Sequence, residues 1–102
     1  MLAAWWLRLK GYRILGQRVR CARGEIDLIA RRGRTVAFVE VKRRADRTSA
    51  AWAVEERALR RVVAAAGMLA PRYARPDDEI RIDAILIVNG RFPRHVINIW
   101  HG

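Results

Sequence analysis

Residues 24–44 read GEIDLIARRGRTVAFVEVKRR, and their reading decides the fold. Two alternating apolar runs, 26–31 and 35–42, flank the turn Arg32-Gly33-Arg34, which is the pattern of a β-hairpin. Successive strand side chains point to opposite faces. The hairpin therefore predicts Glu25, Asp27 and Ile29 on one face of the first strand, and Phe38, Glu40 and Lys42 on one face of the second. Three polar residues stand where a strand prefers apolar ones: Asp27 amid Ile26, Leu28 and Ile29, Glu40 between Val39 and Val41, and Lys42 just after Val41. A carboxylate in such a run costs free energy unless it is paired, hydrogen-bonded or bound to a metal. Local rules that fail together at one spot suggest a site.

Outward from the hairpin, Leu2, Trp5, Trp6 and Leu9 recur at helical spacing before Lys10 and Gly11, predicting a short helix over 2–10. Residues 12–20 carry β-branched and aromatic side chains interrupted by Gly16, so they read as a strand with a bulge or bend. In 50–70 the positions Leu59, Val62, Val63, Ala66 and Leu69 form one helical face, and Pro71 is expected to end it. The opposite side carries Glu56, Arg57, Arg60 and Arg61, a solvated face or a phosphate-tracking one. Residues 71–78 read as a surface loop and 80–88 as a strand suited to a sheet centre. Asn89 and Gly90 mark a turn, after which 95–100 alternate again and are expected to pair back. The predicted order is helix, three strands, helix, two strands, in a single domain over 1–102, since 102 residues leave no room for a second core.

Lys and Arg together number 21 against 10 Asp and Glu, a formal charge of +11, so a polyanionic partner is expected and nucleic acid leads. Genome composition can account for the choice of Arg over Lys, but not for a twofold excess of bases over acids. The single cysteine, Cys21, cannot form an intrachain disulfide, and no Cys or His pairs stand at zinc-ligand spacing; a reducing cytoplasm fits. The opening MLAAWWLRLKGYR differs from a signal peptide in its short apolar run, its late charges and its lack of a cleavage site. No run approaches the roughly 20 apolar residues of a membrane span.

Glu40 and Lys42 lie two apart, so a strand aims both the same way, and the hairpin brings Asp27 alongside from its neighbour. Two carboxylates converging at a sheet end make an oxygen site for a hard divalent cation such as Mg²⁺. A lysine beside it could position or deprotonate the attacking water and steady the charge of a phosphate. The competing reading is a cross-strand ion pair on a solvated face, because Glu-x-Lys arises by chance in many strands. Against that stand the upstream Asp27, the run Lys42-Arg43-Arg44 and the net charge.

Residues 24–30, GEIDLIA, followed by 36–44, VAFVEVKRR, resemble the signature of the YraN-like bacterial proteins, uncharacterised protein family 0102. Those proteins resemble in turn the PD-(D/E)xK nuclease superfamily, whose restriction-endonuclease-like fold is shared by archaeal Holliday-junction resolvases. The likeness runs from 11–15 through Arg81-Ile82-Asp83 to 97–100. It implies an α/β fold with an αβββαβ core, a central mixed sheet flanked by helices. It also implies a hydrolase of the endonuclease type dependent on Mg or Mn, with DNA, branched DNA included, as candidate substrate. Asp27 and Glu40 would then be metal ligands, the Val41 carbonyl a further oxygen, Lys42 the catalytic lysine, and Glu25 a second-tier ligand or a base for water. Relatives of this pattern usually begin earlier and carry an acidic residue on the first helix, whereas no Asp or Glu precedes Glu25 here. Either part of that helix is missing from the chain or this member is catalytically weakened. The departure favours the alternative of a noncatalytic nucleic-acid-binding module with the same fold.

Arg43, Arg44, Arg31, Arg32 and Arg34 would supply phosphate contacts, which position a nucleic acid without reading its sequence. A domain of this size would act as a homodimer to cut both strands of a duplex symmetrically. Trp5, Trp6 and Trp52 could stack on bases, but helical spacing points to the core, as it does for Trp100. Exposed tryptophans would instead suggest a protein-interaction subunit. His95 and His101 make a weak metal pair, and Cys21 reads as a small buried side chain. Asp83 is as readily a salt-bridge partner for an arginine as a metal ligand.

Overall fold

The computed structural model describes residues 2–44, 49–88 and 90–100, with side chains 44 and 49–58 outside the description. The elements run α1 (Leu2–Leu9), β1 (Arg13–Cys21), β2 (Gly24–Arg32), β3 (Thr35–Arg44), α2 (Ser49–Tyr73), β4 (Glu79–Val88) and β5 (Arg94–Val96). The expected order holds, and the five strands form one sheet in the order β1-β2-β3-β4-β5. β1, β2 and β3 are joined by antiparallel hairpins, β4 is parallel to β3, and β5 returns antiparallel to β4. A parallel pair needs a long crossover, and α2 supplies it. The result is the mixed sheet flanked by helices of an αβββαβ core.

Alternation along β3 sorts the core into two layers. Ala37 and Val39 face α1, packing with Ala3, Ala4, Leu7, Leu28 and Ile85. Val36 and Phe38 face α2, packing with Val62, Ala65, Ala66, Leu69 and Ile82. The main helical stripe thus buries as its spacing predicts, at roughly 1.5–3 kcal/mol for each large aliphatic side chain.

The first helix departs from expectation. Its small residues Ala3 and Ala4, with Leu7, are buried, which lets the helix lie close on the sheet, while Leu2, Trp5 and Leu9 are exposed. Trp5 is 59% exposed and so is not core, Trp6 stacks on Phe92, and Trp100 is partly buried against the α2 layer. Trp52 lies outside the described side chains. The helix ends as predicted, because Gly11 takes a left-handed φ of +92°. The Tyr12 N–H then reaches the Leu7 carbonyl at 3.0 Å and the Gly11 N–H the Arg8 carbonyl at 3.0 Å, a Schellman closure with Tyr12 and Leu7 in one cluster.

Two further boundaries move. Pro71 does not stop α2, which continues to Tyr73. The carbonyl that loses its N–H partner there is that of Gly67, an exposed residue, so water can serve it. The last strand is shorter than expected, Arg94–Val96 alone, although the Ile99 N–H still reaches the Ile82 carbonyl at 2.8 Å. The expected irregularity at Gly16 is present. The β1–β2 register shifts between Ile14 and Gly16, and a Cβ on Gly16 would stand 2.8 Å from Val19 Cγ2.

Candidate functional site

The sheet opens where the hairpin turns polar. Backbone pairing of β2 with β3 runs from Arg32 and Thr35 only as far as Leu28 and Val39. Beyond that point β3 continues beside β4, from Glu40 opposite Ala84 to Arg44 opposite Val88. The Val41 N–H, left without a β2 carbonyl, donates instead to Asp27 Oδ2 at 2.8 Å. A hydrogen bond to a charged acceptor contributes about 1.5–3 kcal/mol. Asp27 is therefore set in the fork between two diverging strands.

Period-two alternation breaks at this residue. Ile26 and Ile29 both pack in the α2 layer while Leu28 packs in the α1 layer. The expected shared face of Glu25, Asp27 and Ile29 is therefore not kept: the irregularity around Asp27 puts Glu25 out of phase with Ile29. β1 bends at the same level. Gln17 pairs with Leu28 and Val19 with Ile26, which by count sets Arg18 opposite Asp27, and Arg18 has a left-handed φ of +50°. Such a conformation is uncommon for a residue with a Cβ and costs of order 1–3 kcal/mol. Gln17, Arg18, Asp27, Val41 and Arg43 line an open cleft of about 570 Å³.

Glu40 and Lys42 follow β3 on either side of Val41. Lys42 Nζ donates to Glu40 Oε1 at 3.1 Å, with the two side chains 10% and 19% exposed. The other oxygen, Glu40 Oε2, is buried with no hydrogen-bond partner among the described residues. An unsatisfied buried acceptor costs about 1–3 kcal/mol, more when charged. That orphaned oxygen fits a cation: a buried carboxylate oxygen without a partner among the described residues suits a hard ion that fills its remaining positions with water. Among the described residues no three His, Cys, Asp or Glu side chains are grouped closely enough to hold a metal by themselves. Glu25 is half-exposed and pairs with Arg20 across the β1–β2 hairpin at 2.9 Å.

The arginines expected to contact phosphate do not form one patch. Arg43 lines the cleft, whereas Arg31, Arg32 and Arg34 lie at the hairpin's other end, roughly 13 Å or more from Asp27 along β2. The Arg31 guanidinium is held by both oxygens of Asp78 and by the Gly33 carbonyl. Arg31 holds the Asp78 carboxyl down at about 2, with the Arg75 N–H adding to the effect. Arg32 donates to the Lys10 carbonyl and lies 4.7 Å from the centre of the Tyr12 ring. Arg34 is exposed at the turn. The Arg44 side chain and His101 lie outside the described residues.

A second polar cluster sits on the α1 side of the sheet. Asp83 is fully buried and accepts from Arg81 Nε at 2.9 Å and Nη2 at 2.8 Å, from the Asn98 N–H at 2.9 Å and from His95 Nε2 at 2.8 Å. Arg81 also reaches the Tyr12 hydroxyl, and Lys10 Nζ lies 2.6 Å from His95 Nδ1. With Lys10 donating, His95 is the tautomer that gives its Nε2 proton to Asp83. Burial pushes the Asp83 carboxyl up, but the hydrogen bonds from His95, Arg81 and Asn98 outweigh it and leave it below the usual range. Burial likewise pulls the Lys10 ammonium down, with Arg32 and Arg81 acting the same way against Asp83. The salt-bridge reading of Asp83 is the one observed, and both His95 ring nitrogens are engaged. Of the three partners of Asp83, Arg81 stands two residues away on β4 and was within reach of the sequence, whereas His95 and Asn98 come from the C-terminal stretch and were not. Gln17 and Arg18 carried no signal in the sequence.

The family model described as "Uncharacterised protein family UPF0102" matches residues 1–87. A "UPF0102 protein" of Sphingopyxis alaskensis is 59% identical over 98 residues, covering 96% of this chain and 84% of its relative. Similar proteins of the same description from Rhizorhabdus wittichii and Erythrobacter litoralis are 57% and 54% identical, over 99% and 96% of this chain and 86% and 84% of theirs.

Proposed function

The chain belongs to the uncharacterised protein family UPF0102, and from that premise we propose that it binds nucleic acid and hydrolyses phosphodiester bonds with a divalent cation at the Asp27, Glu40 and Lys42 cluster. The observation that carries this reading is Glu40 Oε2, buried and unpartnered beside a lysine and within one residue of the Val41 N–H that fixes Asp27. Asp27, Glu40 and the Val41 carbonyl would hold Mg²⁺ or Mn²⁺. The bound ion would polarise the phosphoryl oxygens and lower the pKa of a coordinated water. Lys42, tied to Glu40 Oε1, would hold the attacking water or the charge developing on phosphate. Arg43 and Arg18 in the cleft would seat the flanking phosphates, at a net charge of +11 that draws a polyanion in.

One observation favours the noncatalytic reading. Asp27 already serves β3 as a cap for Val41, and Glu40 already has Lys42, so each polar residue has a use in the fold. A cleavage assay separates the two: linear, single-stranded, flapped and four-way-junction DNA and RNA, with Mn²⁺, Mg²⁺ or EDTA, for wild type, Asp27→Asn and Lys42→Ala. The nuclease reading expects metal-dependent products that both variants lose. Uncut substrate bound equally well by all three proteins would leave a binding module.

A further inference from the structure

A second arginine-lined concavity lies at the other end of β1 from the Asp27 cleft, and of the hairpin arginines it takes in Arg31. A pocket of about 380 Å³ opens between β1 and the C-terminal end of α2, lined by Arg13, Arg31, Arg72 and Arg75 with Leu15 and Tyr73. Four guanidinium groups face one hollow. One carboxylate, Asp78, is close, and both its oxygens are engaged by Arg31. Arg13 and Arg72 make no ion pair among the described residues, and both are exposed, as is Arg75. The partial negative charge at a helix C-terminus accounts for Arg72. It does not account for Arg13, which comes from an edge strand, or Arg75, which comes from the loop after the helix. Like charges gathered around a hollow repel one another unless an anion joins them.

The pocket and the Asp27 cleft lie along the same edge strand, the pocket beside Leu15 and Tyr73 of the α2 layer and the cleft beside Val41 of the α1 layer. Both are walled by β1, the cleft at Gln17 and Arg18 and the pocket at Arg13 and Leu15. Arg31, in the pocket, lies four residues from Asp27 on β2, roughly 13 Å at the rise of a strand. A strand of a B-form duplex advances about 3.4 Å per nucleotide along its axis, so that separation corresponds to about four nucleotides of a duplex strand. We propose that this pocket holds a backbone phosphate of a bound DNA duplex, about four nucleotides from the bond seated at the Asp27 cleft. The proposal rests on the nucleic-acid reading above and adds to it a path along β1. Arg31 contributes as a guanidinium already fixed in place by Asp78, and Arg13, Arg72 and Arg75 are free to close on the phosphate. Leu15 offers the sugar an apolar wall.

The test is binding of fluorescein-labelled duplex DNA hairpins of about four and about twelve base pairs, in EDTA and across a salt series, read by anisotropy. Wild type, the double variant Arg13→Gln/Arg72→Gln, and Arg91→Gln, after β4 and at the opposite end of the sheet from the pocket, are compared, with circular dichroism melts to establish that each is folded. Duplex DNA loses about 0.9 in the slope of log K against log salt for each phosphate contact removed, so the double variant is expected to lose about 1.8 on the longer duplex. It is expected to change little on the shorter one, and Arg91→Gln is expected to keep the wild-type slope. Wild type that binds DNA while the double variant shows the same slope overturns the pocket and leaves the cleft reading intact. An equal loss in Arg91→Gln overturns it too, as an effect of bulk charge. Inorganic pyrophosphate bound by wild type and lost in the double variant, with DNA binding unchanged, would make this a small-anion pocket and overturn the strand path. Wild type that binds no DNA at either length removes the nucleic-acid reading and the pocket with it.

Discussion

Two strand carboxylates, Asp83 and Glu40, are enclosed among the described residues, and only Asp83 has both oxygens partnered. Asp83 has no exposed surface and accepts four hydrogen bonds, from Arg81, His95 and the Asn98 N–H. Glu40 is nearly as enclosed, yet one of its oxygens is met by Lys42 and the other by nothing among the described residues. A network with every member satisfied fastens segments together, here β4 to β5, to Tyr12 ahead of β1 and to the chain after β5. A network left one partner short carries a cost that folding alone does not require. On the proposed reading, that difference separates a polar group kept for structure from one kept for chemistry.

The contrast can be broken most sharply at the incomplete cluster. Asp27→Asn or Lys42→Ala is expected to reduce metal-dependent cleavage by about 10²–10⁴-fold, as loss of a group that acts in proton transfer does. An unchanged rate in either would erase the functional half of the comparison. At the complete cluster, Asp83→Ala strands Arg81 and is expected to destabilise by about 3–5 kcal/mol in urea denaturation. Glu40→Gln is expected to stay within about 1.5 kcal/mol of wild type in the same measurement, because Glu40 is already half-satisfied.

A ligand that binds only the folded state raises its melting temperature. Mn²⁺ is therefore expected to stabilise wild type by about 2.7 kcal/mol at a hundred times its dissociation constant, and to leave Glu40→Gln unmoved. Equal shifts in both proteins would put the ion somewhere other than Glu40.

The smallest effect concerns acid. Asp78, held at about 2 by Arg31, contributes stability that is complete above the unfolded value near 4, and that contribution is lost as pH falls through about 2. Asp83, also depressed, adds to the loss in the same direction. Asp78→Asn is expected to flatten the acid limb of a stability curve between those values and leave stability-against-pH slopes above pH 5 unchanged.

Much of this was legible in residues 24–44. Alternating apolar runs around a tight turn specify a hairpin, because the pleat sends successive side chains to opposite faces whatever surrounds them. The misfit of Asp27, Glu40 and Lys42 marked the site for the same reason. The first helix was harder to read. Spacing identified it, but sheet proximity selected Ala3, Ala4 and Leu7 for burial over the larger Leu2, Trp5 and Leu9. A small face allows closer approach than a bulky one, and no periodicity states which face that will be. Pro71 was misread because its cost depends on whether the carbonyl it orphans can find water.

By itself, then, the sequence determined the elements, their order and the polar residues out of place in the hairpin, since these follow from local periodicity and from the cost of burying charge. Tertiary structure alone decided that β2 parts from β3 at Asp27, that Glu40 keeps an oxygen without a partner, and that Arg13, Arg72 and Arg75 meet around one hollow. Those facts depend on where strands diverge and which distant segments come together, and contacts between residues far apart in a chain leave no period in it.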